Sequence, residues 1–245
     1  MQATFVGLGF LVGFLVGLTG VGGGALMTPS LIFLGVEPLT AVGTDLLYAT
    51  VTRVFGVFFH GRRGRIRYDI AFRLLAGSVP AIILGGLMLR EINRELLNDY
   101  LTLLLGIILV VSALLSLLKG EFHVPVRPRW AYVYLLGFVV GLTVQFTSVG
   151  VGVIVSFLLM NIARLDPRDV VGVTITYGLA LSALSFLNYA GLGSVDYHIA
   201  GALILGTLPG VYLGTHLNSI AEREKLKRAI NVIILLIGIL TLLGG

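Results

Sequence analysis

The sequence predicts an all-α polytopic membrane protein built from two repeats. Each repeat is a glycine-broken helical hairpin followed by three transmembrane helices. Three observations predict this class. Only 12% of the 245 residues are charged and 57% are hydrophobic, with a mean hydropathy of +1.01. Average soluble domains carry about 25% charged residues, so a soluble chain of this length could not cover its surface with so few. Most apolar runs also have membrane length, and one half of the chain agrees with the other.

The apolar runs fall at 3–19, 24–35, 39–60, 70–90, 99–118, 130–146, 150–162, 170–190, 198–217 and 228–243. Most suit the roughly 17–25 residues of a spanning helix. The first follows no basic segment, so it reads as a retained helix rather than a cleaved signal. The runs 24–35 and 150–162 are short, and each follows a full-length run after a glycine-containing break. Polar stretches separate the others: "HGRRGRIRYD", "REINREL", "KGEFHVPVRPRW", "ARLDPRD" and "EREKLKR". The first repeat occupies 1–120, a cytoplasmic linker 121–129, and the second repeat 130–245.

The repeat is read from residues that set backbone geometry. At one offset, Pro38, Gly43 and Tyr48 match Pro167, Gly172 and Tyr177. Gly64, Tyr68, Ile70 and Ala71 match Gly193, Tyr197, Ile199 and Ala200. Gly77, Pro80 and Gly85 match Gly206, Pro209 and Gly214. Nearer the start, "GFLVGLT" at 13–19 matches "GFVVGLT" at 137–143, which implies extra residues around the second break.

Charge orients the halves. Arg62, Arg63, Arg65 and Arg67 mark 61–67 as cytoplasmic, and the basic residues of 119–129 and 216–228 mark those loops likewise. The partner of 61–67, at 190–196, has no basic residue. The count of crossings then makes 130–160 a hairpin, inverts the second repeat and places both termini outside; the alternative is that the short arms are single kinked spans, which gives two parallel four-helix halves. Inverted repeats are a common transporter plan.

The stretch "GLTGVGGGALMTP" at 17–29 interrupts an uncharged region with five glycines. Each glycine costs a helix interior about 1 kcal/mol relative to alanine. Non-helical backbone at membrane depth is tolerated where protein buries it or water lines it. A break here would aim N–H groups near Thr19, Gly20, Gly22, Gly23 and Gly24 at an anion, helped by the helix dipole. The second break, "TVQFTSVGVG", supplies Gln145, Thr147, Ser148 and Gly150 at the equivalent point. Two breaks arriving from opposite sides would make one polar site near the midplane. The competing reading is close helix packing, which small residues permit, and it is favoured for Gly7, Gly9, Gly13 and Gly17. The run has no following GK[ST], so it is not a phosphate loop.

Asp45 and Arg53 lie inside the run 39–60, where an ionisable residue should face protein or water. They are about two helical turns apart on roughly one side. Arg53 offers a planar fork suited to an oxyanion. Asp45 would pair with it or carry a proton; His60, at the basic loop, reads as interfacial, with a proton role as its alternative. A structural ion pair is the alternative. Arg73 should snorkel to the interface, and Trp130, Asn188 and Tyr189 read as interfacial anchors.

At "GLTGVGGGALMTPSLIFLGVEPLTAVGTDLL", at "VTRVFG" with His60 and "GRIRYD", and in the half-repeat from 137, the chain resembles the sulfite exporter TauE/SafE family. The resemblance implies export of sulfite, organosulfonates or related sulfur-containing anions across the inner (plasma) membrane. It also implies a basic residue at the position of Arg53. The second half departs from the pattern, since "SVGVGVIVSFLLM" lacks the triple glycine and a counterpart of Pro29.

These readings make a secondary transporter of a small oxyanion the expected function, with a proton or sodium as coupling ion. A passive anion channel is the alternative. An intramembrane enzyme ranks below both, because the spans offer Asp45 without a histidine partner at helical spacing. No cysteine is present, and the four histidines show no paired ligand spacing, so no metal or cofactor is expected. The basic residues sit at loop positions, which speaks against nucleic acid as a partner.

Overall fold

A computed structural model describes residues 2–19, 23–61, 67–117, 130–161, 165–217 and 223–243. Among them every regular element is helical. The helices are α1 (Gln2–Thr19), α2 (Gly24–Phe33), α3 (Pro38–Gly61), α4 (Tyr68–Glu91), α5 (Arg94–Leu117) and α6 (Trp130–Thr147). A π-helical turn at Val151–Val155 leads into α7 (Ser156–Asn161), followed by α8 (Pro167–Gly191), α9 (Tyr197–Leu217) and α10 (Arg223–Leu243).

Among the described residues, five helices are long and apolar enough to cross a membrane: α4, α5, α6, α8 and α9. Shorter apolar helices cover Gln2–Leu18, Gly24–Phe33, Val151–Met160 and Arg228–Leu243. The run at 150–162 is therefore less regular than its sequence suggests, because the π-turn occupies its first half. Large apolar side chains such as Leu87, Leu135, Leu187, Leu205 and Leu236 point outward, as lipid-facing positions require.

The helices pack chiefly in four pairs: α1 on α9, α4 on α6, α5 on α10 and α3 on α8. Two buried clusters hold them. One joins Leu46, Leu74, Val144, Val155 and Leu181, and the other joins Met27, Leu31, Leu105, Leu203 and Ile234. Small residues let the pairs approach. A side chain at Gly9 would collide with the backbone of Leu203, and one at Gly137 with that of Leu74. Gly13 and Gly17 also face α9, so the packing reading holds for them; Gly7 has open space.

The two interfaces are built alike: Leu203 lies on Gly9 and Thr207 on Gly13, while Leu74 lies on Gly137 and Ser78 on Gly141.

Two hairpins enter the bundle from opposite ends. At one end, Gln2 and Phe5 of α1, Leu34–Val36 after α2, and Asp196 and His198 near the start of α9 line one cavity of about 380 Å³. Gly23 lies against Val16 and Val12, so the chain has already turned back along α1. The same end holds Asn98 donating to Glu37 at 2.7 Å and Arg94 donating to Ser194 at 3.4 Å. At the other end, the Arg73 guanidinium lies 3.4 Å from the centroid of Trp130, where α6 begins. Arg67 pairs there with Asp69 at 3.1 Å and also feels the charge of Asp169 near the start of α8. The segment from α6 to α7 thus leaves this end and returns to it.

Candidate functional site

The tips of the two hairpins touch. The N-cap of α2 is Gly23, which has no side chain to bond the first N–H groups. Leu26 and Met27 N–H both donate to Gly23 O at 3.0 Å, and the start of the helix carries the positive end of its dipole. Opposite them, α6 ends at Thr147, whose hydroxyl donates to Thr143 O at 2.6 Å and accepts from Val149 N–H at 3.2 Å. The backbone then passes through left-handed conformations at Ser148 (φ 58°) and Gly150 (φ 119°). Gly24 packs against the Ser148 carbonyl, and a Cβ there would sit 2.7 Å from that oxygen.

Between the tips is a cavity of about 20 Å³ lined by Gly24, Arg53, Ser148, Gly150 and Gly152, with valines completing the wall. It has space for about one water molecule. Arg53 is half-buried and lines this cavity. Its Nη1 donates to Gly178 O at 3.1 Å, which holds the guanidinium against α8 and leaves further donors. The cavity therefore combines a fixed cation with the start of α2 and the unwound segment, a set of groups that favours an anion.

Asp45 is fully buried just outside this cavity. Its Oδ2 accepts a hydrogen bond from Thr28 Oγ1 at 2.5 Å. The expected pairing with Arg53 is not formed, because each turns to a different partner: Arg53 to Gly178 and Asp45 to Thr28. The Arg67–Asp69 contact is the one ion pair among the described residues.

Gly24, Arg53, Ser148 and Gly150 of the expected site come together. Gln145 does not line the cavity. Its fully buried side chain packs on Gly85, and neither amide atom has a hydrogen-bond partner among the described residues. Thr147 braces the break from within, and Gly23 faces Val12, Val16 and Tyr48. Gly20 and Gly22 lie outside the described residues, as do the side chains of Thr19 and His60 and most of the basic loops.

Sequence reasoning missed Thr28 and Gly178. Thr28 carried a weak signal, as a hydroxyl just before Pro29 in an apolar run; Gly178 carried none, since its role lies in its carbonyl. Two residues read as interfacial anchors belong inside. Tyr189 is buried and donates to Gln145 O at 2.8 Å, and Asn188 Nδ2 donates to Ile82 O at 3.2 Å. Each reaches a backbone carbonyl on a neighbouring helix, which gives its polar end a partner within the bundle.

The fold and the touching breaks define a class: a multi-pass helical membrane protein whose discontinuous helices meet inside the bundle. The chain belongs to the sulfite exporter TauE/SafE family, whose model matches residues 5–241. It is 34% identical to the probable membrane transporter protein YjnA of Bacillus subtilis, over 98% of this chain and 99% of that one. Probable membrane transporter protein YdhB of the same organism is 28% identical over 95% of this chain and 97% of its own. A probable membrane transporter protein of Xylella fastidiosa is 27% identical over 96% and 92%. No solved structure matches the chain.

Proposed function

We propose that this protein is a secondary transporter that exports small sulfur-containing oxyanions, such as sulfite or organosulfonates, across the plasma (inner) membrane. The observation that carries the reading is the convergence of Arg53, the start of α2 and the Ser148–Gly150 break on one cavity. Arg53 and backbone N–H groups would bind the anion, with Gln145 entering its shell once the breaks move. Family membership supports transport and supports sulfur oxyanions as the first class to test.

The cavity is too small for such an anion, so binding requires the two breaks to separate. The packing suits this. Partners are exchanged between the proposed repeats, with α1 on α9 and α6 on α4. Equivalent hydroxyl links recur, with Thr207 donating to Tyr48 Oη at 3.0 Å and Ser78 bonded to Tyr177 Oη at 2.6 Å. Two inverted halves rocking about a shared site would open it alternately to each end. A channel needs a continuous path wide enough for the anion, and a cavity of about 20 Å³ is too narrow for one.

Titration of the purified protein with sulfite, taurine, sulfoacetate and chloride tests the reading. Saturable binding of a sulfur oxyanion, weakened by Arg53→Ala, is expected. Absence of binding by any of the sulfur anions to folded protein would contradict it.

A further inference from the structure

The anion cavity leaves Asp45 unexplained. The residue is 0% exposed, and Thr28 satisfies only its Oδ2. Its Oδ1 has no hydrogen-bond partner among the described residues. Ser148 Oγ is itself buried and lies close enough to interact with the carboxylate, but it makes no well-formed hydrogen bond among them. Ser148 is held there in a left-handed conformation that non-glycine residues seldom adopt. Strained backbone of this kind persists where the surroundings impose it, and it gathers at functional sites.

The charged and titratable groups near Asp45 are few. Arg53 and Tyr48 act on it from its own helix. Arg53 is bonded to Gly178, and the Tyr48 hydroxyl is bonded by Thr207. From α2 and the second break the neighbours are the neutral hydroxyls of Thr28 and Ser148. A carboxylate buried without an ion pair is costly unless a cation matches it. The Asp45 carboxylate and the Ser148 hydroxyl thus lie side by side at the break without a well-formed bond between them.

We propose that Asp45, Thr28 and Ser148 form a binding site for one monovalent cation, a proton or a sodium ion, separate from the anion cavity and coupled to it through Ser148. This rests on the transport reading for its purpose, since the cation would drive the anion. Ser148 belongs to both sites: its hydroxyl faces Asp45, while it also lines the cavity that Arg53 completes. Filling the cation site would therefore fix the break that forms the cavity wall.

The test needs no anion. The purified full chain is melted in choline chloride and in sodium chloride at equal ionic strength, each in mildly acidic and mildly basic buffer. A cation bound only by the folded protein raises its melting temperature. The wild type should melt higher with sodium if the ion is sodium, or with acid if it is a proton. Asp45→Asn should remove the response to that ion. Ser148→Ala should require about tenfold more of it, as for a lost hydrogen-bonding group. Equal responses in wild type and Asp45→Asn, or no response in either, would overturn the proposal. If Asp45→Asn fails to fold, Ser148→Ala and Thr28→Val decide in its place, and unchanged ion responses in both overturn it. Such a failure leaves sulfite binding by the wild type untouched. Conversely, loss of the anion reading would leave an ion response at Asp45 in place.

Discussion

Gly24 and Ser148 meet at the tips of the two hairpins, with the Ser148 carbonyl so close that a methyl group on Gly24 would stand 2.7 Å from it. Backbone cannot yield there as a flexible side chain would. Gly24→Val should therefore push the breaks apart and abolish transport while the protein still inserts in the membrane. The overpacking should lower stability by about 1–3 kcal/mol. Transport assays paired with thermal melts check this, and wild-type transport by the variant would return the glycine cluster to mere packing.

Arg53 should contribute a charge-assisted hydrogen bond to the anion. Arg53→Ala is expected to weaken substrate binding by about 1.5–3 kcal/mol. Arg53→Lys should retain part of the affinity, because it keeps the charge but loses the planar fork. Since Arg53 and Asp45 are not paired, adding Asp45→Ala should not rescue Arg53→Ala. Binding titrations on the single and double variants measure both effects.

Gly137 gives a prediction about the fold alone. A side chain there collides with the backbone of Leu74, and it would also crowd the bond from Ser78 Oγ to Gly137 O at 2.7 Å. Gly137→Val should separate α6 from α4 and lower the melting temperature. Gly7→Ala, in open space, should leave it unchanged. Melting curves of the two variants provide the contrast.

The two ends of the bundle should lie on opposite sides of the membrane, with the arginine-rich end in the cytoplasm. Glu37 and Asp196 sit near the other end, while Arg67 sits at the arginine-rich one. The chain has no native cysteine. Glu37→Cys should be labelled by an impermeant reagent on intact cells, and Arg67→Cys should be labelled only after lysis. The reverse pattern would invert the assignment.

Helix positions and the location of the breaks were legible in the sequence because burial in lipid leaves a direct compositional trace. The run 39–60 became α3 at Pro38–Gly61, and 130–146 became α6 at Trp130–Thr147. The meeting of Gly24, Arg53, Ser148 and Gly150 was also foreseeable, since glycine and charge at membrane depth need a cavity or a partner. Partner choice was not legible. Asp45 turns to Thr28 rather than to Arg53, and Arg53 reaches a carbonyl of α8, because tertiary packing sets which groups are within reach. Tyr189 and Asn188 misled for the same reason: amphipathic residues near a helix end suit an interface or a buried carbonyl equally well.

The decisive assay of anion transport is counterflow of radiolabelled sulfite into liposomes containing the purified protein. Uptake against unlabelled sulfite inside should be saturable, inhibited by an organosulfonate and lost in Arg53→Ala protein that remains folded. Counterflow that is undiminished in folded Arg53→Ala, or absent from folded wild type for sulfite and organosulfonates alike, would contradict it.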